Sequence, residues 1–155
     1  MNIFVLSKDP KTCAKYHNDK HVVKMVLESA QLLSTAHYLN GSKGPYKPTH
    51  TKHPCATWTA KSLGNYIWLG KLAKELCKEY TYRYEKKHKS EDIINWLIKT
   101  PPKISKIRRT KFALAMPKKY QSKDPIQSYQ KYYINDKSHL ASWKKRNPPK
   151  WFIKK

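Results

Sequence analysis

Apolar positions recur at intervals of three and four over Val23, Val26, Leu27, Ala30, Leu33 and His37, the spacing of one helix face. Asn18 or Asp19 offers a capping oxygen at the amino end and Asn40-Gly41 a stop, so a helix is predicted between them. Ahead of it, residues 3–6 form an apolar run too short to tell strand from buried segment by pattern. Asp9-Pro10 reads as an N-cap followed by proline at the first helical position, opening a short helix to about Tyr16. Gly41, Gly44, Pro45, Pro48 and Pro54 mark residues 41–54 as a loop. A second helical stretch, broken near Gly64, runs on to about Tyr84. Its stripe includes Ile67, Leu69, Leu72, Ala73, Leu76, Cys77 and Tyr80. Ser90 caps a short helix through Ile93, Ile94 and Leu97 that Pro101-Pro102 ends. Asp124-Pro125 opens a last helix holding Tyr129, Tyr132 and Tyr133. Few segments read as strands. The pattern predicts a mainly α protein: a compact single-domain helical bundle over residues 1–155, with irregular loops. Residues 141–155 are expected as a basic, aromatic tail wrapping the surface.

Charge changes this picture most. The chain has 155 residues, with 33 Lys plus Arg against 10 Asp plus Glu, a formal net charge of +23. Self-repulsion on that scale opposes a compact state and is relieved by a polyanion. Nucleic acid fits best, because each neutralised phosphate releases counterions. An A-rich coding sequence would raise lysine but would not thin out the acids. Hydrophobic residues make up 39% of the chain, enough for one core. No apolar stretch approaches the length of a membrane span, and the first residues lack a basic n-region, so no membrane role is expected. Cys13, Cys55 and Cys77, an odd number without a Cys-x-x-Cys pair, read as reduced buried thiols.

Three stretches interleave aromatic and basic residues: Tyr80 to Tyr84, Tyr129 to Tyr133, and Trp143 to Phe152. Aromatic faces stack on unpaired bases while cations hold phosphates. On this basis Lys20, His21, Lys24, His50, Lys52, His53, Arg108, Arg109, Tyr129, Lys131, Tyr132 and Tyr133 are candidate nucleic-acid contacts. His17 and His21 stand at i and i+4, and His50, His53 and Cys55 would complete a metal set, but no standard ligand spacing joins them. No metal or cofactor is expected. Asp19 is one of the few acids, set among Lys20, His21 and Lys24, which would hold it ionised. It reads either as an N-cap or as an acid/base group, and Glu28, about two and a half turns further on, is a second candidate.

The order of segments resembles the phage pyrimidine-dimer DNA glycosylases, the endonuclease V family. The likeness rests on Asn2-Ile3-Phe4-Val5-Leu6-Ser7 followed by Tyr16-His17-Asn18-Asp19, on the stretch Asn65 to Arg83, and on Pro125 through Tyr129-Gln130-Lys131-Tyr132-Tyr133. It aligns Asp19 with the family's catalytic glutamate, and Asn18 with the arginine beside it. The resemblance implies a glycosylase with abasic-site lyase activity. Its nucleophile would be an α-amine, here that of Met1, because Asn2 is too bulky for the initiator to be removed. Met1 and Asp19 are then the expected catalytic pair. DNA is the expected partner, with RNA as the alternative, and the protein is expected as a monomer. It would be encoded by a phage or large virus and act in the cytoplasm or nucleus of the host cell. Two other readings compete: a non-catalytic nucleic-acid-binding protein, and a metal-dependent nuclease built on His17, His21, His50, His53 and Cys55.

Overall fold

A computed structural model describes residues 1–153. Among these residues there are six α-helices and no strand: α1 (Pro10–Tyr16), α2 (Asp19–Leu39), α3 (Pro54–Lys61), α4 (Leu63–Tyr84), α5 (Glu91–Lys99) and α6 (Pro125–Asp136). The mainly α expectation holds.

Local chemistry sets the helix ends. Asp9 accepts from the Thr12 N–H ahead of Pro10, and Asn18 accepts from the His21 N–H at the head of α2. Gly41, at φ +82°, provides the left-handed turn just past α2. The expected break falls at Ser62, whose extended backbone separates α3 from α4 and whose hydroxyl accepts from the Asn65 N–H. Gly64 is small for another reason. A Cβ there would lie 2.4 Å from the Arg109 nitrogen, because the 106–109 segment docks on the start of α4. There the carbonyls of Lys106 and Ile107 accept from Leu63 and Gly64. The basic stretch Lys103–Arg109 is thereby pinned by its backbone, and its Lys and Arg side chains are exposed.

The long helices α2 and α4 pack together, with α3 and α5 against both and α1 against α4. The apolar run Ile3–Leu6 is a buried segment without helix or strand, threaded through this core and turned at its end by the Leu6 N–H donating to the Phe4 carbonyl. The α6 helix closes over it, with Phe4 touching the rings of Tyr129, Tyr132 and Tyr133. The buried arc of α2 is broader than expected and rotated. Val22, Met25, Val26, Ser29, Leu32, Leu33 and Ala36 face inward, while Val23 and Leu27 are exposed. Ile67 on α4 is exposed as well.

The carboxyl-terminal segment runs back over α1, α2 and α4. Trp143 is buried and donates its indole N–H to the Tyr16 carbonyl, and Arg146 pairs with Glu79 on α4. Residues 154 and 155 of the expected tail lie outside the described residues.

Candidate active site at the amino terminus

The chain's first nitrogen is held in place by residues distant in sequence. The Met1 α-amine lies 3.4 Å from Oε1 of Glu28 on α2, and the Asn2 N–H donates to the same oxygen at 3.2 Å. The Asn2 side chain acts as a clamp. Its Nδ2 donates to the Ala115 carbonyl at 2.8 Å, and its Oδ1 accepts from the Ile3 N–H and the Tyr129 hydroxyl. Tyr129 shares its single hydroxyl proton between Asn2 Oδ1 at 3.3 Å and the Ala113 carbonyl at 2.7 Å, and it accepts from the Ala115 N–H. The Cys55 thiol, in the first turn of α3, completes the surround of Oδ1 at 3.7 Å. Four elements thus fix the terminal dipeptide: α2, the start of α3, the 113–115 segment and α6. The clamp is made of partners more than fifty residues from Asn2, apart from Ile3, so local pattern could not reveal it.

His53 and His50 stand in the loop next to this amine. The loop is tied to α2 through Thr35, whose hydroxyl donates to the Thr49 carbonyl and accepts from the Thr49 N–H. His53 caps α3, with Nδ1 accepting from the Cys55 N–H at 3.0 Å. Burial, then the positive charge of the terminal amine and His50, lower its pKa, opposed by Glu28. Burial pushes the Cys55 thiol up to about 11. The amine and the Glu28 carboxylate are thus within electrostatic reach of the His53 imidazole.

Met1 and Asp19, the pair expected from the resemblance, are not brought together. Asp19 and Glu28 are nine residues apart on α2, roughly 14 Å along the axis and half a turn out of phase. Asp19 accepts from buried Arg83 (3.1 Å), from the Ser142 hydroxyl and from the Lys144 N–H (2.8 Å). Arg83, fully buried, also donates to Glu79 and to the carbonyls of Lys15 and His17. Here Asp19 fastens the carboxyl-terminal segment to α2 and α4.

The candidate nucleic-acid contacts separate by burial. Lys20, Lys24, His50, Lys52, Arg108, Arg109 and Lys131 are exposed, and His53 and Tyr132 are half-buried. His21, Tyr129 and Tyr133 are buried, which corrects their reading as nucleic-acid contacts. A domain this small needs its aromatic rings inside. His21 stacks on Phe4 at 4.2 Å and is hydrogen-bonded through Nδ1 to the Tyr133 hydroxyl at 2.6 Å. Of the Tyr80–Tyr84 cluster, Tyr82 is exposed, carrying Arg146 over its ring, and Arg83 is core. Trp143 and Phe152 pack on each other, not outward.

His17 sits beside His21 in the core, while His50, His53 and Cys55 belong to the amino-terminal site. Among the described residues no three His, Cys, Asp or Glu side chains are grouped so as to hold a metal ion. Nor is any helix among them long and apolar enough to cross a membrane.

Between Asp19 and Glu28, the exposed strip of α2 carries Lys20, Val23, Lys24 and Leu27, cations interleaved with apolar side chains. The site therefore belongs to a small, basic, all-α protein whose terminal amine is seated on a carboxylate. Residues 1–92 match the family model for pyrimidine dimer DNA glycosylase, more than half of the chain, and the protein belongs to that family. Membership implies DNA as the substrate partner and base excision in DNA repair as the class of activity. No curated protein and no solved structure matches the chain significantly.

Proposed function

We propose that this protein excises pyrimidine dimers from DNA and cleaves the resulting abasic site, with the Met1 α-amine as nucleophile and Glu28 as the acid/base group. The contact between the amine and Glu28 Oε1 carries this reading. Once the amine has lost one proton to solvent, its lone pair attacks C1′ and the glycosidic bond breaks, its electrons leaving with the pyrimidine. The amine's proton passes to Glu28. Glu28 then delivers a proton to O4′ as the C1′–O4′ bond opens, leaving an imine between the terminus and the sugar. Restored as a carboxylate, it takes a proton from C2′, and the C3′–O bond breaks by β-elimination. The structure supports Glu28 over Asp19 for this work: Asp19 is occupied by Arg83, Ser142 and Lys144, and a saturated carboxylate has no lone pair placed for a substrate.

Duplex DNA is held by Lys20, Lys24, Lys52, Arg108, Arg109 and Lys131, all exposed. Phosphate contacts of this kind position the duplex without reading its sequence. The dimer nucleotide leaves the stack so that C1′ reaches the amine.

Borohydride added to protein and abasic-site DNA tests the proposal. A covalent adduct should form, and acetylating the terminus or adding a residue before Met1 should abolish it. An undiminished adduct with a blocked terminus would assign the nucleophile to a lysine instead.

A further inference from the structure

The His53 ring is oriented by its own helix. Its Nδ1 accepts a backbone N–H at the head of α3, so the neutral ring must carry its proton on Nε2. That nitrogen takes no part in the cap. The ring is half-buried and sits in the loop held to α2 by Thr35 and Thr49. Two residues on, Cys55 touches the Asn2 clamp. Cys55 is thus the geometric link between the ring and the terminal dipeptide, and the amine and Glu28 lie within electrostatic reach of the ring.

Resting on the amine mechanism above, we infer that His53 is a further catalytic residue, whose Nε2–H hydrogen-bonds the departing pyrimidine. When the C1′–N1 bond breaks, its electron pair spreads onto the carbonyl oxygen O2 of the base. A fixed, uncharged N–H donor aimed there stabilises that charge as it develops. The proton stays on Nε2, the amine's own proton goes to Glu28, and the base takes its proton from water. A neutral donor also suits this site, because an imidazolium would compete with the amine for the Glu28 carboxylate. Retention of the ring in its neutral state follows from its burial and from the positive charges of the amine and His50.

The role belongs to base excision alone, and that makes it separable from a capping role. His53→Asn and His53→Ser both keep an oxygen able to cap α3 and lack Nε2. Each should slow single-turnover scission of a dimer-containing duplex by about a hundredfold. Scission of an abasic-site duplex, and the borohydride adduct formed with it, should stay within about twofold of the unsubstituted protein, since no base departs there. Equal losses on both substrates in both variants would show a structural role and overturn the inference, as would no loss on either. The underlying mechanism fails separately, by the absence of any adduct from the unsubstituted protein on abasic-site DNA. A substrate-selective loss in the two variants would still uphold His53 in that case.

Discussion

Asp19 and Glu28 are two carboxylates on one helix, and their surroundings differ in kind. Asp19 is ringed by a buried guanidinium, a hydroxyl and a backbone N–H, which knit three parts of the chain together. Glu28 meets only the terminal amine and the next N–H, both on Oε1, and its Oε2 has no partner among the described residues. A carboxylate whose lone pairs are all engaged holds structure. One with a free oxygen beside a nucleophile can move protons. Between the two runs the exposed strip Lys20–Leu27, so the structural and reactive ends of α2 flank one surface suited to a duplex.

The comparison breaks most readily at Arg83. Arg83→Met takes the buried guanidinium from Asp19 and Glu79, leaving Asp19 to Ser142 and Lys144 and Glu79 to Arg146, and urea unfolding should show a loss of about 3 kcal/mol. Chemistry by the fraction that remains folded should stay close to normal. A mild loss of stability would mean that the Asp19 network is ornamental.

Glu28→Gln gives the opposite profile. Single-turnover scission of dimer-containing DNA should fall by about a hundredfold or more, equivalent to about 2.7 kcal/mol. Thermal stability should barely move, because only a partly exposed amine pair is altered. Asp19→Asn should mainly lower stability. If Asp19→Asn instead removed activity in a protein of unchanged melting temperature, the roles assigned to the two acids would be reversed.

The core behind Asp19 sets a pH dependence. Burial depresses His17 from 6.5 to about 4 and His21 to about 2. His17 is held by Nδ1 donating to the Cys13 carbonyl, and its Nε2 has no partner. The unfolded chain binds the protons that the folded core excludes. Stability is therefore full above pH 6.5 and is lost as pH falls from there toward 4, by up to about 1.4 kcal/mol per pH unit for each ring. Urea titrations across that window check the slope, and His17→Gln should shallow it.

The smallest effect concerns the strip between the two acids. Lys24→Gln should weaken DNA binding a few-fold, alike for all sequences, and lower the log–log salt slope by about one. Tyr129→Phe should leave the slope unchanged, since its ring is buried. A lowered slope in Tyr129→Phe would contradict the burial.

Helix positions were legible in the sequence because caps are local: Asp9, Asn18, Ser62 and Asp124 each accept from N–H groups two or three residues ahead. The face of α2 was less so. That helix is apolar around much of its circumference, so a stripe through Val23 and Leu27 fits the period as well as the true one through Val22, Val26 and Leu33. The tyrosines of α6 misled for a related reason, since Tyr129 and Tyr133 beside Lys131 look the same whether rings point at bases or at Phe4. Glu28 was visible as an acid midway along the predicted helix, yet nothing local marks it as the seat of the terminal amine. Its difference from Asp19 is tertiary, made by Arg83 at one end and by the Asn2 clamp at the other.

Everything in the catalytic account depends on which nitrogen bonds the sugar. Protease digestion and mass spectrometry of the borohydride-trapped adduct locate it directly. The account predicts a sugar-modified amino-terminal peptide beginning at Met1, with every lysine-containing peptide unmodified. Modification of Lys20, Lys24 or Lys52 with a free Met1 amine would contradict it.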